Sequence, residues 1–144
     1  ENGINMATRA TIHVAKREEG VSFSERPNKT IVDIYHHWDG YPEGLGVTLA
    51  SYLDDMKIVN GLGRDDENIA NGLGCLAAQL IAEIKDSPGN VSIIGPEESY
   101  GYIEFEYYIW GTEYKDIWIS IFDDRDECIF VGKPRDLLKK YYTD

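Results

Sequence analysis

TIVDIYHHWDGYPEGLGVTLASYL, Thr30–Leu53, changes its hydrophobic period halfway along, and that change decides the fold. Up to Trp38 the stretch is rich in β-branched and aromatic residues, the composition of a strand expected at roughly 30–38. Asp39-Gly40 is a turn pair, and Pro42 suits the first turn of a helix, where its missing N–H leaves no partner wanting. Leu45, Leu49, Tyr52, Leu53 and Met56 then recur at helical spacing, which predicts a helix over roughly 43–55.

Upstream, Ala10, Ile12 and Val14 alternate with Arg9, Thr11 and His13, as in a half-buried strand. The polar stretch 18–29, with Gly20 and Pro27, reads as a loop that joins the two strands into a hairpin. Downstream of the first helix, KIVNG (57–61) is a short extended segment. The tetrapeptide Asn-Gly-Leu-Gly follows twice, at 60–63 and 71–74. Leu73, Leu76, Ala77, Leu80, Ile81 and Ile84 form a second helical face, which DSPG at 86–89 ends. Alternation in Ile103, Phe105, Tyr107 and Ile109, again in Ile117, Ile119 and Ile121, and the run ECIFVG at 127–132 predict further strands. KPRDLLKKYY places Pro134 near a helix start and basic residues near its end. The expected fold is therefore α+β, a mostly antiparallel sheet with two central helices and a short C-terminal helix.

A chain of 144 residues suits one domain, taken here as 7–144. Met6-Ala7-Thr8 reads as a native start, which places residues 1–6 outside the fold as a vector remnant or a disordered N-terminus. A net charge of −12 argues against binding duplex nucleic acid or an anionic membrane, both of which need a basic face. A small anionic ligand remains compatible, because a few local cations outweigh a global field. Cys75 and Cys128 lack Cys-x-x-Cys spacing and read as reduced core residues. No apolar run approaches a membrane span and no signal peptide is visible, so a cytoplasmic protein is expected.

Candidate chemistry is sparse. His36 and His37 are neighbours on a strand and face opposite sides, so they cannot share a metal, and neither a metal nor a cofactor is expected. Ligand contact by His36, with Asp39 beside it and Trp38 or Tyr41 as a stacking surface, is the better reading. The first helix opens on Pro42 and Glu43, a poor site for an anion. The second is different: Asn71 is a potential cap, Gly72 and Gly74 permit close backbone approach, and the first acid within the helix is Glu83. No strand leads into it with a Gly-x-Gly-x-x-Gly fingerprint, and no P-loop is present. Asp123, Asp124, Asp126 and Glu127 read as a solvated hairpin turn rather than a calcium loop. Phosphate partners are limited to Arg9, Arg64, Arg125, Lys133 and Arg135, with Arg64 favoured by its place beside the first Asn-Gly-Leu-Gly. No nucleophile elbow or adjacent Cys–base pair supports covalent catalysis.

Three segments in combination, IYHHWDGYPEGLG (34–46), IVNG (58–61) and NGLGCLAAQLIAEIK (71–85), followed by a tyrosine-rich strand and IFVGKPRDLL, resemble a family of small phage and prophage proteins. These are the sponges that counter Thoeris defence. The resemblance spans most of residues 7–140 and implies non-enzymatic sequestration of a cyclic ADP-ribose-type signal, in some members of cyclic oligonucleotides, by a homo-oligomer in the infected or lysogenic host. Gly44 and Gly46 match that family's glycine-rich turn, whereas His36 stands where relatives often carry an arginine. The later ligand-binding arginine of the family falls on either Arg125 or Arg135. The binding set implied is His36, Trp38, Asp39, Tyr41, Arg64, Asn71, Gly72, Gly74 and Arg125, with Trp110 and Trp118 as further aromatic surface. Two alternatives stand beside it: an acidic interaction domain that engages a host protein, and a nucleotide-processing enzyme using His36 or His37.

Overall fold

The computed structural model describes residues 7–59, 68–111 and 116–143. Six strands form one mixed sheet: β1 (Ala10–Lys16), β2 (Val32–His36), β5 (Val91–Ile93), β6 (Phe105–Gly111), β7 (Trp118–Phe122) and β8 (Cys128–Gly132), in the order β5-β2-β1-β6-β7-β8. Neighbours pair antiparallel except β1 and β6, which run parallel. Parallel pairing needs a long crossover, and both central helices, α1 (Val47–Leu53) and α2 (Gly72–Ile84), lie within the chain between these two strands. The third helix, α3 (Pro134–Tyr141), closes the chain, with the Asp136 carboxylate accepting from the Lys133 backbone N–H and Lys139 and Lys140 in its last turn. The architecture is α+β, and among the described residues no helix is long and apolar enough to cross a membrane.

Three features depart from the predicted elements, one of them the short strand β5. The first helix opens as a π-helical turn, Pro42–Gly46, in which the Gly46 N–H reaches the Tyr41 carbonyl, before α1 takes over at Val47. A two-stranded parallel ribbon of β3 (Lys57–Val59) and β4 (Ile69–Asn71) also forms, so a strand does lead straight into α2. Three-residue strands such as β4 and β5 are too short to print a hydrophobic period.

One face of the sheet carries Ile12, Val14, Ile34, Tyr107, Ile109, Ile119 and Ile121 against Leu49, Leu53, Leu76, Leu80 and Leu137 of the helices. Among the described residues no helix packs on the other face. There Ala15, Tyr108, Trp110 and Phe122 are buried beneath Val21 and Phe23 of the loop between β1 and β2. The central strand β6 is consequently buried on both sides.

Candidate functional site

β2 ends at His36, whose backbone is in register with Ala10 on one side and Val91 on the other. His36 lies on the same face of the strand as buried Ile34 and lines a cavity at the helix side of the sheet. His37 turns away: its backbone N–H donates to the Asn90 carbonyl at 2.9 Å, and its Nδ1 lies 2.6 Å from the Tyr35 hydroxyl. The two histidines therefore diverge.

The turn that follows is held from three directions. Asp39 takes φ +53°, a backbone region that Asp and Asn tolerate better than most residues. A methyl at Gly40 would meet the Ala10 Cβ at 2.7 Å and the Thr8 carbonyl at 2.8 Å, so only glycine lets the turn lie this close to β1. Buried Tyr107 donates its hydroxyl to the Gly40 carbonyl at 2.6 Å, tying the turn to the centre of the sheet. Gly44 is constrained in the same way, because a Cβ there would sit 2.7 Å from the Asp39 carbonyl oxygen. That oxygen accepts from the Leu45 N–H at 2.9 Å.

The cavity measures about 530 Å³, and His36, Trp38, Asp39 and Tyr41 all line it, joined by Glu83, Asp86 and Asn90 from the far end of α2 and the segment after it. Trp38 and Tyr41 are exposed and offer ring surface. Asn90 is 5% exposed, and its Nδ2 donates to the Ile84 carbonyl at 3.1 Å and to Asp86 Oδ1 at 2.7 Å. Those two acceptors fix the amide's orientation and leave Asn90 Oδ1 buried without a partner, as is His36 Nδ1. Burial lowers the His36 pKa from its ordinary value, against the Trp38 carbonyl and the charges of Asp39 and Asp86, which act to raise it. His36 and Asn90 thus line one space, and each also holds a buried polar atom without a partner, a costly group to leave unpaired.

Among the described residues no lysine or arginine lines this cavity, whereas Asp39, Glu83 and Asp86 do. The C-terminal end of α2, where partial negative charge accumulates, also contributes to the wall. The chemistry favours N–H donors and disfavours phosphate.

The other residues expected at a site are elsewhere. Asn71, Gly72 and Gly74 open α2, roughly 20 Å from its far end at 1.5 Å per residue. Asn71 makes no side-chain capping hydrogen bond there. Gly72 needs glycine for its φ of +87°, while Gly74 has open space around it. Arg125 is exposed in the turn between β7 and β8, at least three strand spacings or roughly 14 Å from β2. Arg64 and the first Asn-Gly-Leu-Gly lie outside the described residues. Arg9 donates to the Tyr100 carbonyl, Lys133 pairs with Asp116 at 2.8 Å, and Arg135 pairs with Asp54 at 2.8 Å. Nor are the other tryptophans free surfaces: Trp110 is fully buried with its Nε1–H on Ser120 Oγ, and Trp118 stacks on Phe23 at 4.7 Å. In the acidic turn, Asp123 accepts from the Arg125 and Glu127 backbone N–H groups. Among the described residues no group of three or more His, Cys, Asp or Glu is placed to hold a metal ion. The two cysteines are free and partly buried.

Glu83, Asp86 and Asn90 are the wall residues that sequence reasoning missed. Their stretch announces only the end of a helix, and nothing local marks Asn90 as buried. Compared with family models, curated proteins and solved structures, the chain matches none.

Proposed function

We propose that the protein binds a small ligand without turning it over, taking a flat, amine-bearing ring into the His36–Asn90 cavity. The observation that carries this is a cavity in which the carboxylates of Asp39, Glu83 and Asp86 stand with the rings of His36, Trp38 and Tyr41. An exocyclic amine donates to the wall carboxylates, the heteroaromatic edge meets His36, and Trp38 and Tyr41 cover the ring face. Adenine belongs to this chemical class, and the resemblance to Thoeris-countering sponges implies a signal that carries it. The phosphates of such a signal stay in water at the cavity mouth, because among the described residues the wall is acidic and holds no cation. A homo-oligomer belongs to the same reading and is checked by light scattering.

Adenosine and a cyclic ADP-ribose isomer are both expected to raise the melting temperature and to be recovered chemically intact after denaturation. Replacing His36→Phe keeps a ring but removes the polar edge, and is expected to weaken adenosine binding about tenfold, the equivalent of roughly 1.4 kcal/mol. No stabilisation by either ligand, or recovery of an altered one, would overturn the proposal.

A further inference from the structure

A second cavity, of about 510 Å³, opens on the opposite face of the sheet. Thr11 and His13 of β1, Asp33 of β2 and Tyr108 of β6 line it from the sheet side, and Pro96 to Gly101 line it from the segment after β5. Thr11 and His13 are two residues apart on one strand and so share a face, while strand register sets His13 directly opposite Asp33. His13 Nδ1 lies 2.6 Å from Asp33 Oδ1, and His13 Nε2 lies 2.8 Å from Thr11 Oγ1. Thr30 donates its hydroxyl to the same Asp33 oxygen at 2.6 Å. The imidazole stacks on Tyr108 with ring centroids 4.7 Å apart and planes 19° from parallel. The carboxylate selects the Nδ1–H tautomer, which leaves Nε2 as the acceptor of the Thr11 hydroxyl proton. A hydroxyl, a base and a group that orients the base thus stand in hydrogen-bonded sequence beside open space. Arg26 lines the same cavity, held by Glu106 and Asp126 through Nη2.

We propose that Thr11, His13 and Asp33 form an acyl-transfer centre for small carboxylic esters, independent of the ligand site around His36. Thr11 Oγ1 attacks the ester carbonyl carbon as its proton passes to His13 Nε2. The carbon–oxygen bond to the leaving alcohol then breaks, and that alcohol takes the proton from His13. Water, deprotonated by the same nitrogen, cleaves the acyl-threonine and returns the hydroxyl. Asp33 touches no reacting atom and is a positioning residue. Thr11 is 7% exposed, which restricts the centre to small acyl groups.

The test is p-nitrophenyl acetate with the intact chain, following nitrophenolate release and mapping the acetyl group by peptide mass spectrometry. A burst of nitrophenolate with acetyl on Thr11 is expected; Thr11→Ser retains it and Thr11→Val abolishes it. His13→Gln is expected to slow acetylation about 100-fold or more, the usual worth of a general base. Asp33→Asn is expected to lower the acetylation rate constant while leaving the half-saturating p-nitrophenyl acetate concentration in place, a split that a merely structural carboxylate would not produce. Absence of a burst from the wild-type chain overturns the proposal. So does acetyl confined to lysine and tyrosine side chains, or an undiminished burst from Thr11→Val.

Discussion

His36 combines a strand-end position, a buried ring edge and a depressed pKa, and its titration is coupled to folding. In the unfolded chain the imidazole takes a proton near its ordinary value of 6.5, while in the folded protein it resists until lower pH. Stability is therefore complete above pH 6.5 and falls as the pH drops through that value towards the folded pKa. His36→Phe removes this dependence. Urea denaturation on both sides of pH 6.5 is expected to show wild type losing stability relative to the variant on the acid side. Parallel curves would mean that the ring protonates equally in both states. Identity alone marked this residue as worth attention, since a histidine beside Trp38 and Asp-Gly stands out. Its neutrality comes from burial, which outweighs the opposing charges of Asp39 and Asp86 and is completed by a wall some fifty positions later.

At the scale of elements, β6 is where periodicity misleads. Ile103, Phe105, Tyr107 and Ile109 read as the buried side of a half-exposed strand, yet the strand runs Phe105–Gly111 and Tyr108 and Trp110 are also buried. The cause is Phe23 in the loop between β1 and β2, which meets Trp110 edge-on at 5.4 Å and stacks on Trp118. A polar loop with one phenylalanine has no pattern that announces it as a lid on a second core. Trp110→Ala is expected to cost about 3–5 kcal/mol in chemical denaturation, as for a large core side chain. A loss below about 1 kcal/mol would show that the loop-covered face contributes no core. The long, periodic α2 presents the opposite case: its apolar face was legible in full because packing demands the same stripe that the sequence displays.

For the whole molecule, the net charge of −12 opposes both compaction and the approach of anions. Added salt screens that repulsion within a Debye length of roughly 10 Å at 0.1 M. The melting temperature is expected to rise from low to moderate salt. Over the same range, titration calorimetry is expected to show tighter binding of a phosphorylated adenine ligand and unchanged binding of adenosine. Binding of the phosphorylated ligand that weakens with added salt would place its phosphates beside local cations instead.

From the sequence alone came the α+β class, the strand-to-helix handover at Asp39-Gly40, the α2 stripe, and the cluster of His36, Trp38, Asp39 and Tyr41. All of these are local, written in turn chemistry and in periods of two and 3.6 residues. Tertiary structure decided the parallel β1–β6 pairing, the loop-covered second core, and the acidic character of the cavity that receives His36. It also decided which candidates meet: Asn71, Gly72, Gly74 and Arg125 share a sequence with His36 but not a site. The physical reason is that a cavity wall and its charge balance are built from residues far apart along the chain, such as His36 with Glu83, Asp86 and Asn90. Only packing brings them within bonding distance.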